Sequence, residues 1–315
     1  MKLTKTLVLL CGLLLLSPMT WADEDIPYLL TAASKGDLAT VQAMLDSGVN
    51  PNTKDKDDIT ALMYAARKGN AEVARVLLDK GAEVNAKDNG GWTALMFASK
   101  KDFLEVMKVL LAKGADIGVR DEAGWSALGL ASTSGYSDAV GLLIEHGASA
   151  NAKSDDGKTV LMYAAKNGDV PTVQTLLKNG ADTSTRDRFG ATALMYAARE
   201  GRVPAMQALI DGGAKIDSKD TTEWTALTWA IRRGRVEAAT LLVDKGSDVN
   251  LKDSEGTPLL HYAVESGSTP ILQLLLDRGA KVKAKDQYGL TALVYAMKRQ
   301  RAEMVRLIKG AGGSY

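Results

Sequence analysis

Two histidines, one cysteine and a series of aspartates are the side chains of this 315-residue sequence best equipped for chemistry. His146 and His261 stand alone, with no His-x-x-x-His or comparable metal-ligand spacing around either. His146, in Glu145-His146-Gly147, reads as a donor to the last carbonyls of a helix. Asp55, Asp88, Asp121, Asp187, Asp220, Asp253 and Asp286 share one column whose members differ by multiples of 33 residues. One carboxylate per unit, about 10 Å from the next at helix-packing distance, does not make the cage of about six to eight oxygens that calcium needs. The column reads instead as turn residues whose side chains accept from their own backbone N–H groups. No Gly-x-x-x-x-Gly-Lys-Ser/Thr phosphate loop occurs. Polar groups are thus distributed by column and do not converge, so no catalytic residue, metal or cofactor is expected.

The elements that position these residues begin after a targeting segment. Lys2 and Lys5 precede an apolar run from Leu7 to Ser17, and Thr20-Trp21-Ala22 ends in the small residue that signal peptidases accept. The run is roughly half of the ~20 residues needed to span a bilayer, so a cleaved signal peptide over 1–22 is expected and a stable membrane anchor is not. Cys11 follows Leu10 where a lipid-modified cysteine would follow a small residue, which sets the lipoprotein reading aside. Cleavage removes that only cysteine and leaves 37 basic against 38 acidic residues, a net charge of −1. Without a cysteine there is no disulfide and no thiolate site, and without a basic excess no general attraction to nucleic acid. No Asn-x-Ser/Thr sequon occurs. Export to a bacterial periplasm is the first expectation, and secretion the second.

Beyond the leader, the chain repeats. Thr60-Ala61-Leu62-Met63-Tyr64-Ala65, Thr93-Ala94-Leu95-Met96-Phe97-Ala98, Thr159-Val160-Leu161-Met162-Tyr163-Ala164 and Thr192-Ala193-Leu194-Met195-Tyr196-Ala197 are offset by multiples of 33. The frame runs through Ser126, Thr225, Pro258 and Thr291, and back to Pro27, giving about nine units. Leu62, Ala65 and Ala66 mark one apolar helical stripe, and Val73, Val76 and Leu77 mark a second. Gly69, with Gly36, Gly135, Gly168, Gly201, Gly234 and Gly267 in its column, ends the first helix; Asp102 and Gln300 interrupt the column. Pro171, Pro204 and Pro270 share a column at the start of the second helix, where a missing N–H costs nothing. A second glycine column, Gly48 to Gly312, has no exceptions.

Several columns together make the unit resemble the ankyrin repeat: a T-A-L-x-x-A variant of T-P-L-H-x-A, a glycine, a leucine pair, and Gly-Ala before an Asn-Ala-Lys-Asp-like stretch. The resemblance implies an all-α solenoid of helix-turn-helix units with projecting β-hairpin loops, stacked in a curve. The expected division is a capping repeat over 23–55, seven internal repeats over 56–286 and a capping repeat over 287–315. Thr257-Pro258-Leu259-Leu260-His261 is one residue longer than the family spelling, so Pro258 falls in the threonine column and His261 in the histidine column. That removes the threonine-to-histidine bond typical of the family from this unit, and methionine replaces the histidine in others.

The resemblance also implies a concave face lined by hairpin tips and first helices, and protein binding there. Trp92, Trp125 and Trp224 stand in the hairpin column before the threonine. Tyr64, Tyr163, Tyr196 and Trp229 occupy a first-helix column, where packing between neighbouring helices is the plainer role. Arg67, Lys100, Lys166, Arg199 and Arg232 end the first helices, where cations complement terminal carbonyls. These twelve residues are the candidate binding set: an aromatic-and-basic groove for an acidic or extended segment of another protein, presented by a monomer. An anionic polymer such as polysaccharide or cell-wall glycan, or a host protein met by a secreted effector, is the alternative occupant.

Overall fold

The computed structural model describes residues 27–314; the expected signal peptide, its Cys11 and residues 23–26 lie outside that range. Among the described residues eighteen helices form nine pairs, from Tyr28–Lys35 with Leu38–Asp46 to Ala292–Lys298 with Ala302–Gly310. Each first helix has six to eight residues and each second helix nine. Isolated helices shorter than about 12–15 residues are marginal in water, so packing must hold them. First helices stack on first helices, second on second, and the two of each pair on one another. Leu62, Ala65, Ala66, Val73, Ala74 and Leu77 of the second unit are buried, and their counterparts repeat along one continuous core. Val76 is half-buried.

The start of each first helix shows why methionine can replace histidine. Thr60, Thr159 and Thr192 cap the helix, each hydroxyl accepting from the backbone N–H three residues on. The residue there is methionine, and its sulfur accepts in return from the threonine N–H, at 3.5 Å for Met63 and 3.4 Å for Met162 and Met195. This is a reciprocal cap with a thioether as the second acceptor. In the eighth unit Pro258 has neither hydroxyl nor N–H. His261 there is buried, its Nε2 lies 2.9 Å from the Leu290 carbonyl of the next unit, and its Nδ1 has no partner.

Gly69 and its column mates end the first helices in the left-handed region, as the pattern requires. Asp102 (φ 59°) and Gln300 (φ 54°) adopt the same conformation without being glycine. The column is therefore interrupted in sequence but not in backbone geometry. The hairpins are slighter than expected: among the described residues there are no strands, only the isolated bridges Lys54 to Thr60, Lys153 to Thr159, Lys252 to Pro258 and Lys285 to Thr291. In all but the fifth unit's hairpin, among those described, an aspartate closes the turn. Asp55 Oδ1, for example, accepts from the N–H groups of Asp57 and Ile59, both at 2.9 Å. Backbone bonds then lace some tips together, Glu122 N–H to Gly90 O and Thr221 N–H to Phe189 O among them.

Candidate functional site

The aspartate column has a second duty that the sequence reading missed. While one oxygen closes the turn, the other accepts from an aromatic side chain nine residues on: Tyr64 to Asp55 at 2.8 Å, Tyr196 to Asp187 at 2.6 Å, the Trp229 indole to Asp220 at 2.8 Å and Tyr295 to Asp286 at 2.7 Å. Tyr262 and Asp253 form the same pair. In these five units the tie pins the hairpin to its own first helix and fixes the ring. Burial, then the aspartate bond, pushes Tyr262 up to about 12, and Tyr196 rises for the same reasons. For Tyr295 the Asp286 bond comes first and burial second, again reaching about 12. All three stay neutral donors near neutral pH. A constant nine-residue interval between two columns was the available signal.

The fifth unit departs from this scheme. Ser154 takes the aspartate position, and the Tyr163 hydroxyl lies 3.3 Å from both Ser154 Oγ and Asp156 Oδ1. Burial opposes the charge on Asp156, but bonds from Lys158 and Ser154 outweigh it and hold the carboxyl at about 2.

The candidate residues separate into groups. Tyr64 and Tyr196 are buried, so their rings serve packing first. Trp92, Trp125 and Trp224 are half-buried, each against another aromatic: Trp92 on Phe97 at 5.0 Å, Trp125 edge-on to Tyr163 at 4.8 Å, Trp224 edge-on to Tyr262 at 5.7 Å. Trp125 also lies over Gly129, where a Cβ would come within 2.9 Å of its ring. Arg67 stacks on Tyr64 at 4.7 Å, and Arg232 on Trp224 at 4.2 Å. Lys100 donates to Ser134 Oγ at 3.1 Å.

At the helix ends that carry Lys166 and Arg199, a terminal carbonyl is met by another side chain. Arg202 donates to the Lys166 carbonyl at 3.3 Å and Arg235 to the Arg199 carbonyl at 3.2 Å, each reaching back from the next unit. Asn70 does the same for Ala33 and Asn167 for Thr133, both at 2.8 Å. Lys166 and Arg199 are thereby released from the helix end. His146, by contrast, does as expected, its Nδ1 lying 2.8 Å from the Leu142 carbonyl.

Half of the candidates converge. Tyr163, Lys166, Tyr196, Arg199, Trp224 and Trp229 line one cavity of about 420 Å³ across the fifth, sixth and seventh units. Tyr64, Arg67, Trp92, Lys100, Trp125 and Arg232 lie outside it. Arg199 is placed by two rings, 5.2 Å from Tyr196 and 5.3 Å from Trp229, and its Nε is paired with Glu200 at 3.0 Å. Phe189, a hairpin-tip residue absent from the expected set, borders the cavity and is 52% exposed. It was legible as one of two aromatics, with Tyr288, among the otherwise small or polar residues of its column.

Stacked short helix pairs with one laced hairpin row and an aromatic, cationic cavity on the first-helix face define a helical solenoid repeat protein. The chain belongs to the ankyrin-repeat family: the family model described as "Ankyrin repeats (3 copies)" matches residues 29–121, 113–187, 161–253 and 246–313. No curated protein matches it. Ankyrin repeats are generally protein-interaction modules, and the family is typically non-enzymatic. Among the described residues no helix is long and apolar enough to cross a membrane.

Proposed function

We propose that this chain is a non-enzymatic adaptor that holds an acidic or extended segment of another protein against its first-helix and hairpin face. The observation that carries the reading is the convergence of three consecutive units on one cavity, with Phe189 half exposed at its edge. Exposed aromatics beside a concavity are where binding energy concentrates. The order of Lys2 and Lys5, the Leu7 to Ser17 run and Ala22 supports export, to the periplasm first and outside the cell second.

The test is affinity capture from the periplasmic fraction with the native chain, Trp224→Ala and Trp92→Ala. Partner recovery should fall at least tenfold with Trp224→Ala and change little with Trp92→Ala, which lies outside the cavity. Equal recovery by all three would refute the reading. Recovery of glycan in place of protein, lost steeply as salt rises, would shift it to an anionic polymer. Mass spectrometry of the same fraction should find a chain beginning at Asp23.

A further inference from the structure

The cavity spends its acceptors internally and keeps donors to spare. Asp220, its one carboxylate, is fully engaged: Oδ1 accepts from the Thr222 and Trp224 backbone N–H groups at 2.8 and 3.0 Å and from the Thr222 hydroxyl at 2.7 Å, while Oδ2 accepts from Trp229. Of the cations, Lys158 is held by Asp156, and Arg199 is held through Nε alone. Two sets of donors remain uncommitted among the described residues: the Lys166 ammonium and the two terminal amino groups of Arg199. Stacking of Arg199 on its two rings holds the guanidinium in place before any ligand arrives, so little further ordering is needed.

Resting on the reading that this face binds protein, we infer that the cavity recognises an acidic residue next to an aromatic one in an extended peptide. The carboxylate bridges Lys166 and Arg199, and the neighbouring ring lies among Phe189, Trp224 and Trp229. A volume of about 420 Å³ is that of a small-ligand pocket and exceeds what one carboxylate fills. The rings form a cup and not a platform: Trp229 is tilted by 57° to Tyr196 and by 82° to Trp224. A sugar chain would need a flat face to stack on and free acceptors for its hydroxyl protons. The cup offers no flat face, and the one carboxylate among its lining residues is already engaged, whereas a carboxylate needs donors alone and a ring fits between tilted walls.

The full chain is titrated into fluorescein-labelled Gly-Gly-Glu-Phe-Gly-Gly, its Gln-Phe and Glu-Ala counterparts, and a labelled oligoglucuronate, read by fluorescence polarisation. The Glu-Phe peptide binds tightest, and replacing Glu by Gln weakens it about tenfold or more, the loss expected for a hydrogen bond to a charged group. In Lys166→Gln the preference for Glu over Gln shrinks severalfold while the melting temperature is unchanged. In Glu200→Gln, which removes the negative charge paired with Arg199, the Glu-Phe peptide binds severalfold tighter. Equal affinity for Glu and Gln peptides, an undiminished preference in Lys166→Gln, or tighter binding of the oligoglucuronate overturns the inference. If Trp224→Ala abolishes partner capture while the peptides go undiscriminated, this inference fails alone. Discrimination between the peptides without any captured protein leaves the site standing and removes the adaptor role.

Discussion

At the scale of single residues, the backbone asks more of Asp102 and Gln300 than their side chains repay. Both hold a positive φ that their column elsewhere gives to glycine, a conformation costing a non-glycine residue about 1 kcal/mol or more. Asp102 also buries Oδ1 without a partner, and burial, then the Asp138 charge, raises its pKa. Asp102→Gly and Gln300→Gly should each stabilise the chain by about 1 kcal/mol in urea unfolding. Gly69→Ala should do the reverse, since its Cβ would also meet the Phe103 ring at 2.9 Å. The aspartate ties carry a pH signature. Burial raises Asp253 and Asp286, but hydrogen bonds, led by those from Tyr262 and Tyr295, win and leave both below their ordinary value. A carboxyl depressed in the native state takes up its proton more readily when unfolded, so its stabilisation is complete above about pH 4 and lost as pH falls through the native value. Circular dichroism from pH 5 to pH 2 should show an acid transition, and in Asp286→Asn, less stable at pH 7, the slope of stability against pH should be shallower.

At the scale of the element, the first helix is a short segment that depends on its cap. Thr159→Ala removes the acceptor of the Met162 N–H and should cost about 1 kcal/mol by urea unfolding, within the range for N-cap threonines. Helix pairs and their ends were legible in sequence because each depends on residues within one unit: Thr60 and Gly69 sit at fixed offsets and act on neighbouring backbone. What stayed hidden joins units or columns. The reach of Arg202 and Arg235 to carbonyls 36 residues back leaves no local pattern. Nor does the contraction of the hairpins to single bridges, which follows from how tightly Asp55 and its column mates close their turns. The cavity was hidden for the same reason. Twelve residues in three columns looked equivalent, and only stacking reveals that Tyr163, Tyr196 and Trp229 share a wall with Lys166 and Arg199 while Trp92 is covered by Phe97.

At the scale of the whole molecule, stability is a sum over units and the interfaces between neighbours, because among the described residues each pair packs chiefly on the pairs beside it. An interior unit therefore holds two interfaces and a terminal one holds one. Leu161, buried in the first helix of the fifth unit, and Met304, buried in the last second helix, pose the contrast. Either change to alanine leaves a cavity worth about 2–5 kcal/mol. Leu161→Ala weakens the middle of the array, where the fourth and sixth units both lean on the fifth, and should split urea unfolding into two phases. Met304→Ala should leave a single main transition preceded by fraying of the final unit. Amide hydrogen exchange read by mass spectrometry locates the difference: faster exchange centred on 160–178 and spreading both ways in the first variant, confined to roughly the last pair of helices, 292–310, in the second. One unbroken transition and uniformly faster exchange in both would mean that the array folds as a single cooperative body. The cavity, built on the fifth, sixth and seventh units, would then be coupled to the ends of the stack and not only to its neighbours.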